Sequence, residues 1–178
     1  MTFTQQYDSP LGGMLLAADE IGLTGLWFGG QKYFARGLPA ERTERSTPVL
    51  TEAKRWLDIY FSGRDPGFTP PLAMEHMTEF RRQVCEIMLD IPFGETMTYG
   101  QIAKRVAQMR GLESMSSQAV GGAVGHNPVS LIIPCHRVVG TNGSLTGYAG
   151  GIDKKTALLK LEGADMTGFF IPKKGTAL

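Results

Sequence analysis

Disulfides cannot hold this chain together. Its 178 residues include only two cysteines, Cys85 and Cys135, and neither lies in a Cys-x-x-Cys pair, so a disulfide framework, a zinc ribbon and a thioredoxin-type redox site are excluded. Long apolar runs are missing too: nothing approaches the roughly 18 to 20 residues that span a bilayer, and the N-terminus has no basic stretch followed by a long apolar one. The expectation is a soluble cytoplasmic protein with no membrane attachment. Nor is there a strong excess of one charge. The formal net charge is +1, although residues 1–75 carry seven basic against nine acidic side chains and residues 76–178 eleven against eight. That tilt permits a polyanion-binding face in the second part without predicting one, because nucleic-acid binders usually carry a larger basic excess. What is present is an ordinary globular balance, 42% hydrophobic and 20% charged, long enough for one domain or two small ones with a real core.

The chain then sorts into two parts. Thr2–Tyr7 and Met14–Ala18, separated by Ser9-Pro10-Leu11-Gly12-Gly13, read as a hairpin, and Leu23–Phe28 as a third strand of a small antiparallel sheet. Gln31–Arg45 is polar and reads as loop. Thr47-Pro48 opens a helix as a cap followed by proline should, with Val49, Leu50, Ala53, Trp56, Leu57 and Tyr60 at helical spacing before Gly63. Arg64–Met77, with four Pro or Gly breakers, is the linker, giving domains 1–77 and 78–178. Thr78 and Glu79 start the next helix, with Phe80, Val84, Ile87, Met88 and Ile91 on one face and a buried, inert Cys85. Thr98 caps a helix from Tyr99 to about Ala107; Gln108–Met115 connects; Ser116-Ser117 caps a third helix through Gly125. The predicted class is α+β, a small N-terminal antiparallel-sheet domain with a helix followed by a mostly helical domain containing a helix-turn-helix. The last helix of that pair holds Gly121, Gly122 and Gly125, each costing about 1 kcal/mol relative to alanine, so a close-approaching partner is expected, either DNA or another helix.

Chemistry concentrates where the apolar run Leu131-Ile132-Ile133, read as a buried strand, stops at Pro134-Cys135-His136-Arg137 before Val138-Val139. A nucleophile, a base and a cation are adjacent. A free thiol with a pKa near 8.5 is only a few per cent thiolate at pH 7; bringing it below 7 requires about 2 to 3 kcal/mol in favour of the anion, which His136 and Arg137 would supply. Consecutive side chains of an extended segment face opposite ways, so His136 reaches Cys135 only through a bridging water or a turn after Pro134. Glu162, at the end of a helix from Asp153 to about Leu161, is a candidate to orient the base; its charge is unfavourable at a helix C-terminus, which points to a specific use or to a solvated position. The glycine-rich run Gly140–Gly151 lacks both phosphate-loop patterns and reads as a pocket wall offering Tyr148, or as an exposed turn.

Taken together, Asn127-Pro128, Ile133-Pro134-Cys135-His136-Arg137-Val138-Val139-Gly140, Gly147-Tyr148-Ala149-Gly150-Gly151, Leu158-Leu159 and Glu162-Gly163 resemble the O6-alkylguanine-DNA alkyltransferase (methylated-DNA–protein-cysteine methyltransferase) family. The likeness is strongest over Thr78–Gly163; residues 1–77 add the hairpin, the helix and Phe61-Ser62-Gly63. It implies a monomer that binds double-stranded DNA through the helix-turn-helix in the minor groove and flips an alkylated guanine into a pocket. Cys135 then takes the alkyl group from O6 in a single turnover. The same resemblance implies that His136 acts on Cys135 through a water and is held by Glu162. Tyr99 would assist rotation and donate to the flipped base, while Asn127 would join the recognition helix to the site. Val124, Val138, Tyr148 and Ala149 would line the pocket. Ser117, Gln118, Ala119, Gly122 and Arg137 form the DNA-binding set, Arg137 doubling as a structural tie. One position departs: where many relatives carry an intercalating arginine stands Gln118, so weaker binding and flipping are expected. No cofactor and no metal are implied, since Cys85, Cys135, His76, His126 and His136 show no ligand spacing. Two other readings are a lesion sensor, a class in which the reactive cysteine is replaced, and a cysteine hydrolase using Asn127 or Asn142.

Overall fold

A computed structural model of the chain describes residues 1–173. It divides into two compact units, the first made of Met1–His76 with Pro128–Ile132, the second of Met77–Asn127 with the chain from Ile133 on. The excursion of residues 128–132 into the first unit has no counterpart in the sequence reading.

In the first unit, strands β1 (Phe3–Ser9) and β2 (Gly12–Ala18) form the hairpin, paired in register from Phe3 opposite Ala18 to Ser9 opposite Gly12. Strand β3 (Leu23–Phe28) continues the antiparallel sheet beside β2. A two-residue strand, β4 (Thr43–Glu44), pairs parallel to β1 within the stretch read as loop, too short and polar to leave a pattern. Helix α1 (Pro48–Phe61) starts at Thr47, whose side chain accepts from the Leu50 N–H, and buries Leu50, Ala53, Trp56, Leu57 and Tyr60 on one face. Beside β3, the Leu26 N–H donates to the Pro128 carbonyl and the Ser130 N–H to the Leu26 carbonyl.

Leu131-Ile132-Ile133 is not the strand its composition suggested. Leu131 has φ +70° and the Ile132 N–H turns back to the Ser130 carbonyl, so the three residues are buried in irregular backbone. Apolar runs of this length mark burial, and burial alone does not require extension.

The second unit packs helices α2 (Glu79–Leu89), α3 (Tyr99–Arg110) and α4 (Ser117–Gly125) on one another. Thr78 caps α2, and Thr98 and Gln101 form a reciprocal capping box on α3. Helix α3 runs three residues past Ala107 because the Arg110 guanidinium bonds Gln83 and lies over the Phe80 ring, and Gly111 supplies the left-handed cap at φ +65°. Six residues, 111–116, join α3 to α4, more than the three or four of a usual helix-turn-helix. Strands β5 (Met97–Thr98) and β6 (Val138–Val139) pair in parallel, and α5 (Ile152–Leu161) closes the unit. None of the described helices is long and apolar enough to cross a membrane.

Candidate active site

Two short pieces of backbone set the site. The β5–β6 pairing puts Thr98 beside Val139, so the first residue of α3, Tyr99, is held near the chain that has just left Cys135. Before β6, residues Cys135–Arg137 form a single turn of 3-10 helix after Pro134. That turn is one of the two solutions to the problem of neighbouring side chains, and it sends the His136 ring toward α5.

Glu162 sits at the C-cap of α5 with its carboxylate buried. The His136 Nε2 lies 2.5 Å from Oε2, the Arg137 Nε donates to Oε1 at 2.7 Å, and the Gly94 N–H donates to Oε1 at 3.1 Å. Burial alone would raise its pKa, but the histidine contact and the arginine charge pull it down to about 2. Burial lowers the pKa of His136, outweighing the pull of Glu162, so its ring is neutral and Arg137 is the cation that keeps the carboxylate ionised. With Nε2–H assigned to Glu162, Nδ1 carries the basic lone pair.

Arg137, expected both in the DNA-binding set and as a structural tie, is turned inward. Besides Glu162 it donates to the Ile91 carbonyl at 2.7 Å and lies over the Phe93 ring, and the residue is 7% exposed. Its guanidinium ties the α2 end and α5 to the active-site turn, the structural role also expected of it.

The resting state of Cys135 is corrected too. Burial pushes the thiol pKa up, opposed by the Asn127 side chain, the Lys155 charge and the N–H groups of Cys135 and His136. Arg137, expected to lower it, is turned to Glu162 instead. The thiol is protonated at rest and needs a base. Asn127 follows the end of α4 and also donates to the Ile133 carbonyl at 2.8 Å, fixing the approach to Pro134.

Tyr99 donates to the Thr146 carbonyl at 3.0 Å, and burial with the nearby Cys135 raises its pKa, so the hydroxyl keeps its proton. Gly147, at φ +84°, passes so close that a β-carbon would strike that hydroxyl. Val124, Val138 and Tyr148 are buried and Ala149 is half-buried. The Tyr148 ring stands edge-on to His136 at 6.4 Å, and its buried hydroxyl has no partner among the described residues. Ser117, Gln118, Ala119 and Gly122 are exposed on α4, whose other side buries Val120, Ala123 and Val124. A β-carbon at Gly122 or Gly125 would meet nothing within 4 Å, so close packing inside this chain does not explain those glycines.

One site residue escaped the sequence reading. Lys155 is fully buried, and its ammonium donates to the Val138 carbonyl and, at 2.9 Å, to the Thr146 carbonyl. Burial lowers its pKa to about 8, with Cys135 pulling the other way. Asp153-Lys154-Lys155 looks like a solvated helix start. The available signal was spacing: Lys155, Leu158, Leu159 and Glu162 recur at i, i+3, i+4 and i+7.

The second unit thus places a buried cysteine, a histidine held by a glutamate and an exposed glycine-rich helix in one body, and comparison with known proteins gives the class. Residues 3–74 match the family profile described as 6-O-methylguanine DNA methyltransferase, ribonuclease-like domain, and residues 79–164 that described as its DNA binding domain. The methylated-DNA–protein-cysteine methyltransferase of Methanosarcina acetivorans is 44% identical over 160 residues, 89% of this chain and 96% of that protein. That of Mycobacterium tuberculosis is 40% identical over 167 residues, 91% and 95% of the two chains. A crystal structure of Mycobacterium tuberculosis OGT in complex with DNA superposes with a TM-score of 0.76 at 38% identity, covering 90% of this chain and 92% of that one. The chain belongs to the 6-O-methylguanine DNA methyltransferase family.

Proposed function

We propose that the protein repairs O6-alkylguanine in duplex DNA by taking the alkyl group onto Cys135, once per molecule, in the cytoplasm. The observation that carries this reading is the buried Cys135 next to a buried His136 whose Nε2 is held by Glu162 at 2.5 Å. The thiol proton passes to the His136 Nδ1 through a water. The Cys135 sulfur then attacks the alkyl carbon, forming the S–C bond as the C–O6 bond breaks and its electron pair returns to the base; the guanine anion takes a proton from solvent at N1, and His136 returns the thiol proton to solvent. The Tyr99 hydroxyl, which keeps its proton, donates to the departing guanine. Val124, Val138, Tyr148 and Ala149 line the pocket, and Asn127 couples it to α4. The exposed face of Ser117, Gln118, Ala119 and Gly122 supports duplex binding, since its glycines open outward, and the related structure with DNA supports it from outside. A stable thioether ends the reaction. Mixing the protein with excess duplex carrying one O6-methylguanine should restore one guanine per chain and then stop. Continued turnover would make it a hydrolase-like catalyst, and lesion binding without repair a sensor.

Gln118 gives a second expectation. A short neutral side chain fills the gap left by a flipped base less well than a long cationic one, so Gln118→Arg should speed repair of duplex several-fold, about 1 kcal/mol or more. Repair of the lesion in single-stranded DNA, where no gap needs filling, should not change. Equal duplex rates for the two proteins would show that the wedge lies elsewhere.

A further inference from the structure

Beyond α5, residues 163–170 fold back on the loop that follows β6. The chain turns at Gly163, and Ala164, Met166 and Phe169 pack against an apolar cluster of Val139, Leu145 and Leu159. Phe170 then bridges Ser144 in parallel fashion: its N–H donates to the Gly143 carbonyl at 3.1 Å, and its carbonyl accepts from the Leu145 N–H at 2.9 Å. The fit leaves no slack, since a β-carbon on Gly143 would strike the Gly168 carbonyl.

What this segment grips is the pocket wall. The loop closes on itself through the Gly140 N–H to the Ser144 carbonyl at 2.8 Å and the Gly143 N–H to the Gly140 carbonyl at 2.9 Å. Leu145 leads directly to Thr146, whose carbonyl accepts from both Tyr99 and Lys155, and then to Tyr148 and Ala149. The loop is thus held on its inner side by two side chains of the active site and on its outer side by residues 166–170.

We infer that Met166–Phe170 is a positioning segment that sets the width of the alkylguanine pocket by pinning Gly143–Leu145, and so decides which O6-alkyl groups react. The inference rests on the alkyltransferase reading. With the outer grip released, Thr146–Ala149 recede; a methyl group loses its alignment with Cys135, and a bulky alkyl group gains room.

Phe170→Pro removes the N–H given to Gly143. Phe170→Ala keeps that N–H and loses a side chain that is already 43% exposed. Single-turnover transfer is measured for both from duplexes carrying O6-methylguanine or O6-benzylguanine, together with binding to undamaged duplex. Phe170→Pro should lower the methyl rate about tenfold through misalignment. It should also raise the benzyl-to-methyl ratio about threefold or more, with binding to undamaged duplex unchanged, while Phe170→Ala follows the wild type. An unchanged ratio in Phe170→Pro, the same change in both variants, or an equal fall in both rates would overturn the inference. If the proline variant does not fold, Met166→Ala and Phe169→Leu, which loosen the same packing, are held to the same ratio. Failure of the underlying reading looks different: the wild type itself then accepts no alkyl group, and the inference falls with it.

Discussion

Glu162→Gln should slow methyl transfer about 100-fold or more, the range that a positioned base contributes, and lower stability by about 3 kcal/mol. The rate effect follows from the tautomer. Glu162 fixes Nε2–H and leaves Nδ1 to receive the Cys135 proton, and a neutral amide can present its N–H to the ring and reverse that assignment. The stability effect follows from Arg137, whose buried guanidinium would lose its counter-ion. The carboxyl titrates near 2 when folded, below its ordinary 4.5. Its contribution is therefore complete above about pH 4.5 and disappears as pH falls toward 2. Chemical denaturation of wild type and variant across that window should converge as the pH drops, and a constant gap would contradict the assignment.

Lys155→Met should separate activity from stability. The ammonium is the cation that opposes the burial penalty on the Cys135 thiolate, and its two carbonyl contacts place Thr146 beneath Tyr99. Its loss should lower single-turnover transfer about 100-fold through misplacement and a weaker thiolate, with the rising limb of the pH–rate profile moved to higher pH. Stability should change little. A buried ammonium with its pKa lowered from 10.5 to about 8 opposes folding at pH 7, a cost that disappears as pH rises from 8 toward 10.5. Methionine removes that cost but takes the ammonium donor from the Val138 carbonyl, at about 1 to 3 kcal/mol, while the Thr146 carbonyl keeps the Tyr99 hydroxyl. A variant that loses activity only in proportion to its melting temperature would reduce Lys155 to a structural part.

The helices of both units were legible because their caps and periodicities are local: Thr47-Pro48, Thr78, Thr98 and Ser116 each stand where a helix start was read. Leu131–Ile133 was misread because its apolar composition records burial, while the positive φ at Leu131 depends on where residues 128–130 dock. Within the site, Cys135, His136 and Glu162 were legible as types and positions, and Glu162 was flagged by its awkward charge at a helix end. The protonation state of Cys135 was not, because it turns on which way Arg137 points. Lys155 was hidden by its charged neighbours, although the leucines three and four residues later share its face.

The most direct measurement is peptide mass spectrometry after mixing the protein with duplex containing one O6-methylguanine, with Cys135→Ser alongside. One methyl should be added per chain, confined to the Cys135 peptide, with guanine restored in the DNA and no reaction in the serine variant. A methyl group on Cys85 or any other residue, or guanine restored with no gain in protein mass, would contradict transfer to Cys135.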